Sequence, residues 1–543
     1  MITINDLNIH FPLKLIPRNQ QIESLHFVKE SINTGNKFVL LNIPTGVGKS
    51  YFAIMFMNWY RNFVNEDAKF DILTNSKVLQ NQYIKDYVFI ENFKGRSNYK
   101  CEPFNTDCEQ GKELCSIMKR KCSDCPYDMA KEKWKNSNIS LTNFHLFNTI
   151  ALYLPSLLKE RSSNVLLIDE AHDFENVFCD FISTRLNVRG LKMMGFTLSE
   201  LEKIDKQIQK VKRIDQYVNL LERVIIPDLN EKDVLFSKEV IEKSITSKRK
   251  TEITKYISQI QTNKLKYKNF IEEFKKNKNN WVLDINLNKK AKIYSGIELI
   301  TQPVWGNEYL KESIWDKYDH VIFMSGTILN KEMFSYINGL DKEVSTYYEM
   351  NSPFSIKRRP IYYIKAGKMT YNEKIETFKN QKEWIKKIIK KNAKRKGIIH
   401  TTTYEFADML KTQIYNKRLI FHETKNREEM LNKHIDSKQP TILVSPSMNS
   451  GVDLKDDLSR FQIIMKIPFP NISSNKIKQR QKTNKEWYNW KTCVDFIQSY
   501  GRSLRSEEDW AETYVLDSSL STLLKYNSNL IPRYITDAIK VLK

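Results

Sequence analysis

No stretch of this 543-residue chain approaches the ~18–20 consecutive apolar residues that would span a bilayer. The opening Met1–Lys14 also lacks the basic region and long apolar run of a secretory leader. A cytoplasmic setting without membrane attachment is therefore the expectation, and disulfides are rare in such a compartment. Internal repeats and low-complexity linkers are missing, which argues against a solenoid array. Proline is absent between Pro227 and Pro303, leaving room for long helices. Acidic residues are in short supply: 64 stand against 87 basic ones, for a formal charge of +23. A surplus that large points to a polyanionic partner, nucleic acid before membrane. The alternative source is a general Lys-rich composition, in which Lys, Asn and Ile are abundant everywhere.

The length allows roughly three or four domains at about 150 residues each, and 41% hydrophobic content suffices for several cores. Strands and helices alternate at the start. The apolar run Phe38–Ile43 ends in a glycine-rich turn before a helical Tyr51–Tyr60, Phe70–Leu73 precedes another helix, and Val165–Ile168 ends in acids. That alternation predicts a parallel sheet covered by helices. A second α/β stretch follows, with strands at Gly397–His400, Thr441–Val444 and Phe461–Ile467. Between the two, Leu201, Ile204, Ile208, Val211, Ile214, Val218 and Leu221 recur at helical spacing behind a capping box, Thr197-Leu-Ser-Glu200. Ile253, Ile257, Ile260, Tyr267, Phe270 and Phe274 form a second stripe. These predict a helical insertion from about 185 to 280, whose stripes are core packing. Strands at Trp281–Leu287 and Ile293–Ile300 are expected to lead back into the first α/β unit.

Pro44-Thr-Gly-Val-Gly-Lys-Ser50 follows a strand and opens a helix, the context a phosphate-binding loop requires. Backbone N–H groups of Thr45, Gly46, Val47 and Gly48 would face phosphates at the helix N-terminus, Lys49 would reach the β/γ oxygens, and Ser50 would take Mg²⁺. Ile43 stands where the strict pattern has its first glycine. Val165-Leu-Leu-Ile168 leads into Asp169-Glu170-Ala171-His172, an acidic pair at a strand end. Asp169 would hold Mg²⁺, Glu170 would orient and deprotonate the attacking water, and His172 would link nucleotide state to the second α/β unit.

Five of the seven cysteines, Cys101, Cys108, Cys115, Cys122 and Cys125, lie within one short segment. Such crowding in a reducing compartment points to metal or cluster ligation. Four thiolates suit either a [4Fe–4S] cluster or tetrahedral Zn²⁺, and spacing alone does not choose. Cys179 and Cys493 read as buried small hydrophobes.

In the order of these motifs the chain resembles the XPD/DinG family of iron–sulfur superfamily 2 DNA helicases, and its compact length resembles the phage- or virus-encoded members. Arg18-Asn-Gln-Gln21 is similar to the family's adenine-side element. Thr74-Asn-Ser-Lys-Val-Leu79 with Gln82 is similar to motif Ia, which contacts the DNA backbone. Lys94–Cys101 resembles the entry to the cluster domain and Cys125-Pro-Tyr127 its exit. Thr142-Asn-Phe-His145 resembles the segment before the acidic strand. Ser325-Gly-Thr327 resembles motif III, with Gly326 in place of Ala. Ser352-Pro-Phe354 with Arg359-Pro360 resembles the start of the second motor, and Lys396–His400 with Thr402 and Tyr404 resembles motif IV. Gly451-Val-Asp453 resembles motif V, with Ser450 replacing the usual Glu. Gln498-Ser-Tyr-Gly-Arg502-Ser-Leu-Arg505 resembles motif VI, whose two arginines reach the γ-phosphate across the cleft.

The resemblance implies an α/β fold of two RecA-like motors, with a cysteine-rich iron–sulfur insertion and a helical arch insertion in the first. The expected boundaries are motor 1 at 1–95, 133–184 and 281–345, the cluster domain at 96–132, the arch at 185–280, and motor 2 at 346–543. It further implies ATP, Mg²⁺ and a [4Fe–4S] cluster held by Cys101, Cys115, Cys125 and Cys108, with Cys122 the competing fourth ligand. Lys119, Arg120 and Lys121 beside the cluster would meet DNA phosphates or stay solvated. The expected activity is 5′-to-3′ translocation on single-stranded DNA with unwinding of forked duplex, by a monomer in a bacterium or an infected host cell. No N-terminal exonuclease is expected, because the phosphate loop begins near residue 44. Two alternatives stand beside this reading: an RNA helicase or remodelling ATPase, which matched DNA and RNA strands would discriminate, and a clamp that binds without unwinding. Glu170, Arg502 and Arg505 argue against the clamp, which needs no hydrolytic apparatus.

Overall fold

The computed structural model describes residues 2–4, 7–9, 17–44, 46–119, 122, 124–242, 244–288, 294–352, 355–446, 454, 456–503 and 509–542. Two seven-stranded sheets, parallel throughout, carry the chain. In the first, strands lie in the order Ser345–Glu349, Phe38–Asn42, His320–Ser325, Val165–Asp169, Phe70–Thr74, Ile139–Asn143 and Glu91–Asn92. The Phe38–Asn42, Phe70–Thr74 and Val165–Asp169 strands are buried along their whole length, as sheets covered on both faces require. The second sheet runs Leu419–Phe421, Ile442–Ser445, Gly397–His400, Phe461–Ile464, Glu512–Val515, Ile361–Ile364 and Ile539–Leu542. The alternation of strands and helices predicts such helix-covered parallel sheets, and two RecA-like α/β domains are what the family resemblance implies.

Strand order decides what meets what. The strand before the phosphate loop, the strand ending at Ser325, the strand ending at Asp169 and the strand ending at Thr74 are consecutive neighbours. Their carboxyl ends therefore bring four sequence-distant motifs to one crevice, where open α/β sheets bind ligands.

The helical stripes form the packing faces expected of them. Thr197 and Glu200 make the capping box of the helix Leu198–Ile208. The first stripe is not continuous: the helix stops at Ile208, and the next runs Ile214–Leu220. The long helix Ser247–Lys276 buries Ile253, Ile257, Ile260, Tyr267, Phe270 and Phe274. The strands after it correct the sequence reading. Trp281–Leu287 forms as expected, but the second strand is Ile297–Pro303 rather than 293–300. These two pair with Thr184–Asn187 in a separate three-stranded antiparallel sheet and do not join the first parallel sheet. Thr184 and Thr301 fix that sheet through a buried hydroxyl pair 2.7 Å apart. Among the described residues no helix is long and apolar enough to cross a membrane.

The second sheet's helix pair, Asn475–Thr483 and Lys485–Tyr500, docks on the first half. Arg480 reaches Glu175 at 2.5 Å, Asp284 accepts from Ser474 and the backbone N–H of Asn475, and Trp490 donates to the Ile328 carbonyl. Glu175 lies on the helix Phe174–Ile182 that follows the acidic motif.

Candidate functional site

The phosphate loop bends where its glycines stand. Gly46 and Gly48 have φ of 85° and 92°, which side chains other than glycine rarely adopt. A Cβ at Gly48 would lie 2.9 Å from Gln21 Nε2. Gln21 donates to the carbonyls of Val47 and Gly48 at 2.9 and 3.2 Å, and Arg18 donates to that of Gly46 at 2.9 Å. Both side chains thus grip the loop backbone, a shaping role that the sequence reading missed. The helix Lys49–Phe63 starts immediately after, with Lys49 and Ser50 in its first turn. Thr45 lies outside the described residues.

Lys49 Nζ stands 3.4 Å from Glu170. Glu170 has φ of 54°, so the turn after the strand aims its carboxylate back at the loop. Asp169 is held by the Glu170 backbone N–H at 2.9 Å and by the Tyr83 hydroxyl at 3.3 Å. Burial pushes the Asp169 carboxyl up to about 6; Lys49 works against the rise and Glu170 adds to it. A buried carboxylate and a half-buried one beside a single lysine make a site short of positive charge, as a divalent cation position would be.

From Glu170 a polar path crosses to the second α/β unit. Glu170 lies 3.5 Å from His172 Nδ1, which meets Ser325 Oγ at 2.9 Å. Ser325 Oγ is 3.3 Å from Thr327 Oγ1, which accepts from Gln498 Nε2 at 2.8 Å. Gln498 Oε1 in turn accepts from Arg502 at 2.6 Å. His172 and Arg502 are buried, and Ser325 and Thr327 almost completely so. Polar groups this deep are stable only when bonded to one another, so the path has a defined geometry. Lys49, Asp169, Glu170, His172, Gln498 and Arg502 are thus brought together in the structure. Asp453 and Arg505 lie outside the described residues, as do Arg120, Lys121 and the Pro353-Phe354 pair.

Other members of this neighbourhood escaped the sequence reading. Asp173 accepts from Asn75 at 3.2 Å and lies 3.5 Å from His172 Nε2, and its signal is its place directly after His172. Glu175 and Arg480 gave none: their pairing joins helices about three hundred positions apart.

The five clustered cysteines line one cavity of about 640 Å³, together with Arg96, Gly111, Lys112 and Lys119. Asp107 caps the helix Cys108–Ile117 and so sets the directions of Cys108 and Cys115. Cys115 Sγ and Cys122 Sγ are 3.9 Å apart. Gly111 packs so closely on Cys101 that a Cβ there would lie 2.5 Å from its sulfur. Burial pushes the Cys108 and Cys115 thiols up to about 11. Among the described residues no three His, Cys, Asp or Glu side chains are grouped so as to hold one metal ion. Cys179 and Cys493 are buried elsewhere, as expected.

Comparison with known proteins gives two family matches in chain order. Residues 14–215 match the family described as type III restriction enzyme, res subunit, and residues 385–537 match the helicase C-terminal domain family. An XPD helicase structure superposes with a TM-score of 0.66 at 15% identity, covering 98% of this chain and 100% of that one. An apo XPD structure gives 0.61 at 16%, covering 97% and 100%. The Xpd4 structure of S. tokodaii gives 0.57 at 15%, again covering 97% and 100%. Among curated proteins, the ATP-dependent DNA helicase CHL1 of Saccharomyces cerevisiae (strain YJM789) is 26% identical over 153 residues, 23% of this chain and 17% of that protein. The CHL1 protein of Vanderwaltozyma polyspora is 25% identical over 128 residues, 19% and 15% of the two. The match thus spans under a fifth of either CHL1 protein. The two family matches fall one in each α/β unit, and the fold is similar end to end to that of the XPD helicase structures.

Proposed function

We propose that this protein is an ATP-dependent DNA helicase that tracks 5′-to-3′ along single-stranded DNA and opens forked duplex as a monomer. The observation that carries this reading is the unbroken polar path from Lys49 through Glu170, His172, Ser325, Thr327 and Gln498 to Arg502. It joins a nucleotide-binding loop to an arginine on the other α/β unit. Lys49 and the loop amides would bind the phosphates, Ser50 and Asp169 would hold Mg²⁺, and Glu170 would take the proton of the attacking water. Arg502, held by Gln498, would turn to the γ-phosphate on closure, with Arg505 beside it; Asp453 would report that closure. Positioning and charge stabilisation of this kind supply most of phosphoryl-transfer catalysis. A pure clamp has no use for such a path.

The proposed domain limits are those of the sequence reading, with one change. The three-stranded sheet that includes residues 281–303 belongs to the base of the helical arch. The proposed cluster ligands are Cys101, Cys108, Cys115 and Cys125, with Cys122 the alternative fourth. All five thiols face one cavity, which supports a cluster more than inert core cysteines. A [4Fe–4S] cluster there would cross-link the segment, as thiolate-bound clusters do. DNA over RNA, and the polarity, rest on the family likeness.

ATP hydrolysis with and without single-stranded DNA, against a matched RNA strand, tests the reading. Turnover should require Mg²⁺, rise with DNA, vanish in Lys49→Ala, and be lost in Glu170→Gln while ATP still binds. Stimulation by RNA alone would replace the substrate, and full turnover in both variants would remove the site.

A further inference from the structure

Two buried tyrosine–aspartate pairs stand on neighbouring strands of the first sheet. Asp71, near the start of Phe70–Thr74, accepts from the Tyr318 hydroxyl at 2.8 Å. Asp169, the last residue of Val165–Asp169, accepts from the Tyr83 hydroxyl at 3.3 Å. All four residues are buried. What differs is the counter-charge. Asp71 Oδ1 also takes the Arg161 guanidinium and the Ser140 hydroxyl, so that pair is neutralised and complete. Asp169 forms no ion pair among the described residues: its Oδ1 takes the Glu170 backbone N–H at 2.9 Å, and its Oδ2 takes Tyr83. A buried carboxylate without a counter-charge is costly. At the strand end that opens on the crevice, a divalent cation would supply that charge.

Tyr83 reaches Asp169 from outside the phosphate loop and the acidic motif. It lies on the helix Lys77–Asp86, whose start Ser76 caps just after the Phe70–Thr74 strand. Its ring centroid is 6.4 Å from that of Tyr87, which in turn is 6.0 Å from that of Tyr51, the residue after Ser50. One helix thus touches both elements that would hold Mg²⁺. Burial, and then Asp169 itself, push the Tyr83 phenol well above its ordinary value, so it stays protonated and donates. Without that donor Oδ2 is left bare, and the carboxylate is free to rotate towards Lys49.

We propose that Tyr83 is a positioning residue for the hydrolytic site: its hydroxyl fixes Asp169 Oδ2 and so presents the carboxylate to the divalent cation that accompanies ATP. Tyr83 acts through Asp169 and touches neither cation nor nucleotide. A carboxylate already held in its binding orientation loses less freedom when the cation arrives, so the cation binds more tightly. The Tyr318–Asp71 pair has the same chemistry at the other end of the sheet, but Arg161 fills the place that a cation would take.

This role rests on the proposed ATPase, and the two fail differently. The full chain is mixed with a fluorescent, non-hydrolysable ATP analogue, and Mg²⁺ is titrated while analogue binding is followed. In Tyr83→Phe, which keeps the ring, the Mg²⁺ midpoint should rise about tenfold. That is the lower end for a lost hydrogen-bond partner of a metal ligand, as suits a long bond. Affinity for the analogue in EDTA, which reports the phosphate loop, should stay as in the wild type. Tyr318→Phe removes the equivalent hydroxyl from the Asp71 pair and should keep the wild-type midpoint. Asp169→Asn should raise the midpoint by itself, and adding Tyr83→Phe to it should raise it no further, because both act at one point. An unchanged midpoint in Tyr83→Phe overturns the proposal. So does an equal rise in Tyr318→Phe, which would indicate general loosening of the sheet, a matching loss of affinity in EDTA, or a further rise in the double variant. A wild type whose analogue binding ignores Mg²⁺ would sink the nucleotide site itself instead.

Discussion

Replacing Arg480 by Met should break the joint between the two halves and lower stability by about 3–5 kcal/mol, the usual loss when one member of a buried ion pair is removed. The structure sets the upper part of that range. Arg480 and Glu175 side chains are 3% and 4% exposed. Glu175 Oε1 keeps the Gly306 N–H at 3.0 Å and the Cys179 thiol at 3.0 Å, but neither carries a compensating charge. The guanidinium also donates to the Val304 carbonyl and sits 4.6 Å from the Trp305 ring centroid and 5.0 Å from that of Trp487. Met preserves much of the stem, so the loss reports charge and hydrogen bonding rather than a void. Urea unfolding followed by tryptophan fluorescence suits the test, because Trp305 and Trp487 flank the substituted site. The Arg480→Met/Glu175→Gln double variant should recover more than half of the loss, since no lone charge remains. A loss below about 1 kcal/mol would put the pair among exposed salt bridges and refute the reasoning. The pair also has an acid limb. Burial works to raise the Glu175 carboxyl, but Arg480 and Lys476 outweigh it and hold it below its ordinary 4.5. A depressed carboxyl contributes stability that is complete above its unfolded value and disappears as pH falls through the folded one. The wild type should therefore lose stability below about pH 4.5 more steeply than Arg480→Met, measured by the same unfolding assay across pH.

Gln498→Ala removes both the bond to Thr327 and the hold on Arg502; a loss of about 1–3 kcal/mol there predicts a roughly ten- to hundredfold fall in kcat, read in steady-state hydrolysis. Gly111→Ala places a Cβ 2.5 Å from the Cys101 sulfur, so anaerobically purified protein should lose iron to the extent that Cys101→Ser does, measured by iron analysis and visible absorbance. Wild-type protein should hold about four iron atoms, and stoichiometric zinc in their place would refute the cluster assignment. DNA binding should weaken steeply between low and moderate salt, because phosphate contacts release counterions, as a titration series would record.

Local signals carried much of the fold and of the nucleotide site. Phe38–Asn42, Phe70–Thr74 and Val165–Asp169 form as strands because each is a short apolar run closed by a turn, and the acidic pair follows such a run directly. Lys49, Asp169, Glu170 and His172 meet because strand order makes neighbours of their elements, and Gln498 with Arg502 joins them from the second unit through the bond to Thr327, which no single segment reveals. The strand expected at 293–300 is found at Ile297–Pro303, because alternation there is weak and one of its two partners, Thr184–Asn187, lies more than a hundred positions away; residue 293 is outside the described residues. The resemblance places Arg18 and Gln21 beside a nucleotide's adenine; which groups of the loop they bond is decided by the loop's own left-handed turns at Gly46 and Gly48. Arg480 and Glu175 were illegible for a different reason. A buried ion pair between distant helices leaves two ordinary charged residues in the sequence: Glu175 on a helix whose phenylalanines already explain its burial, and Arg480 on a strongly polar helix, Asn475–Thr483, that signals no buried face.

Strand displacement on tailed duplexes separates a 5′-to-3′ helicase from its alternatives. A short duplex with a single-stranded tail at its 5′ end, another with the tail at its 3′ end, and a forked duplex are each incubated with wild-type protein, Mg²⁺ and ATP. The labelled strand should be released from the 5′-tailed and forked substrates, little from the 3′-tailed one, and none with Glu170→Gln or without ATP. Release confined to the 3′ tail would contradict the polarity. ATP hydrolysis stimulated by DNA with no strand released from any of the three would contradict the helicase itself.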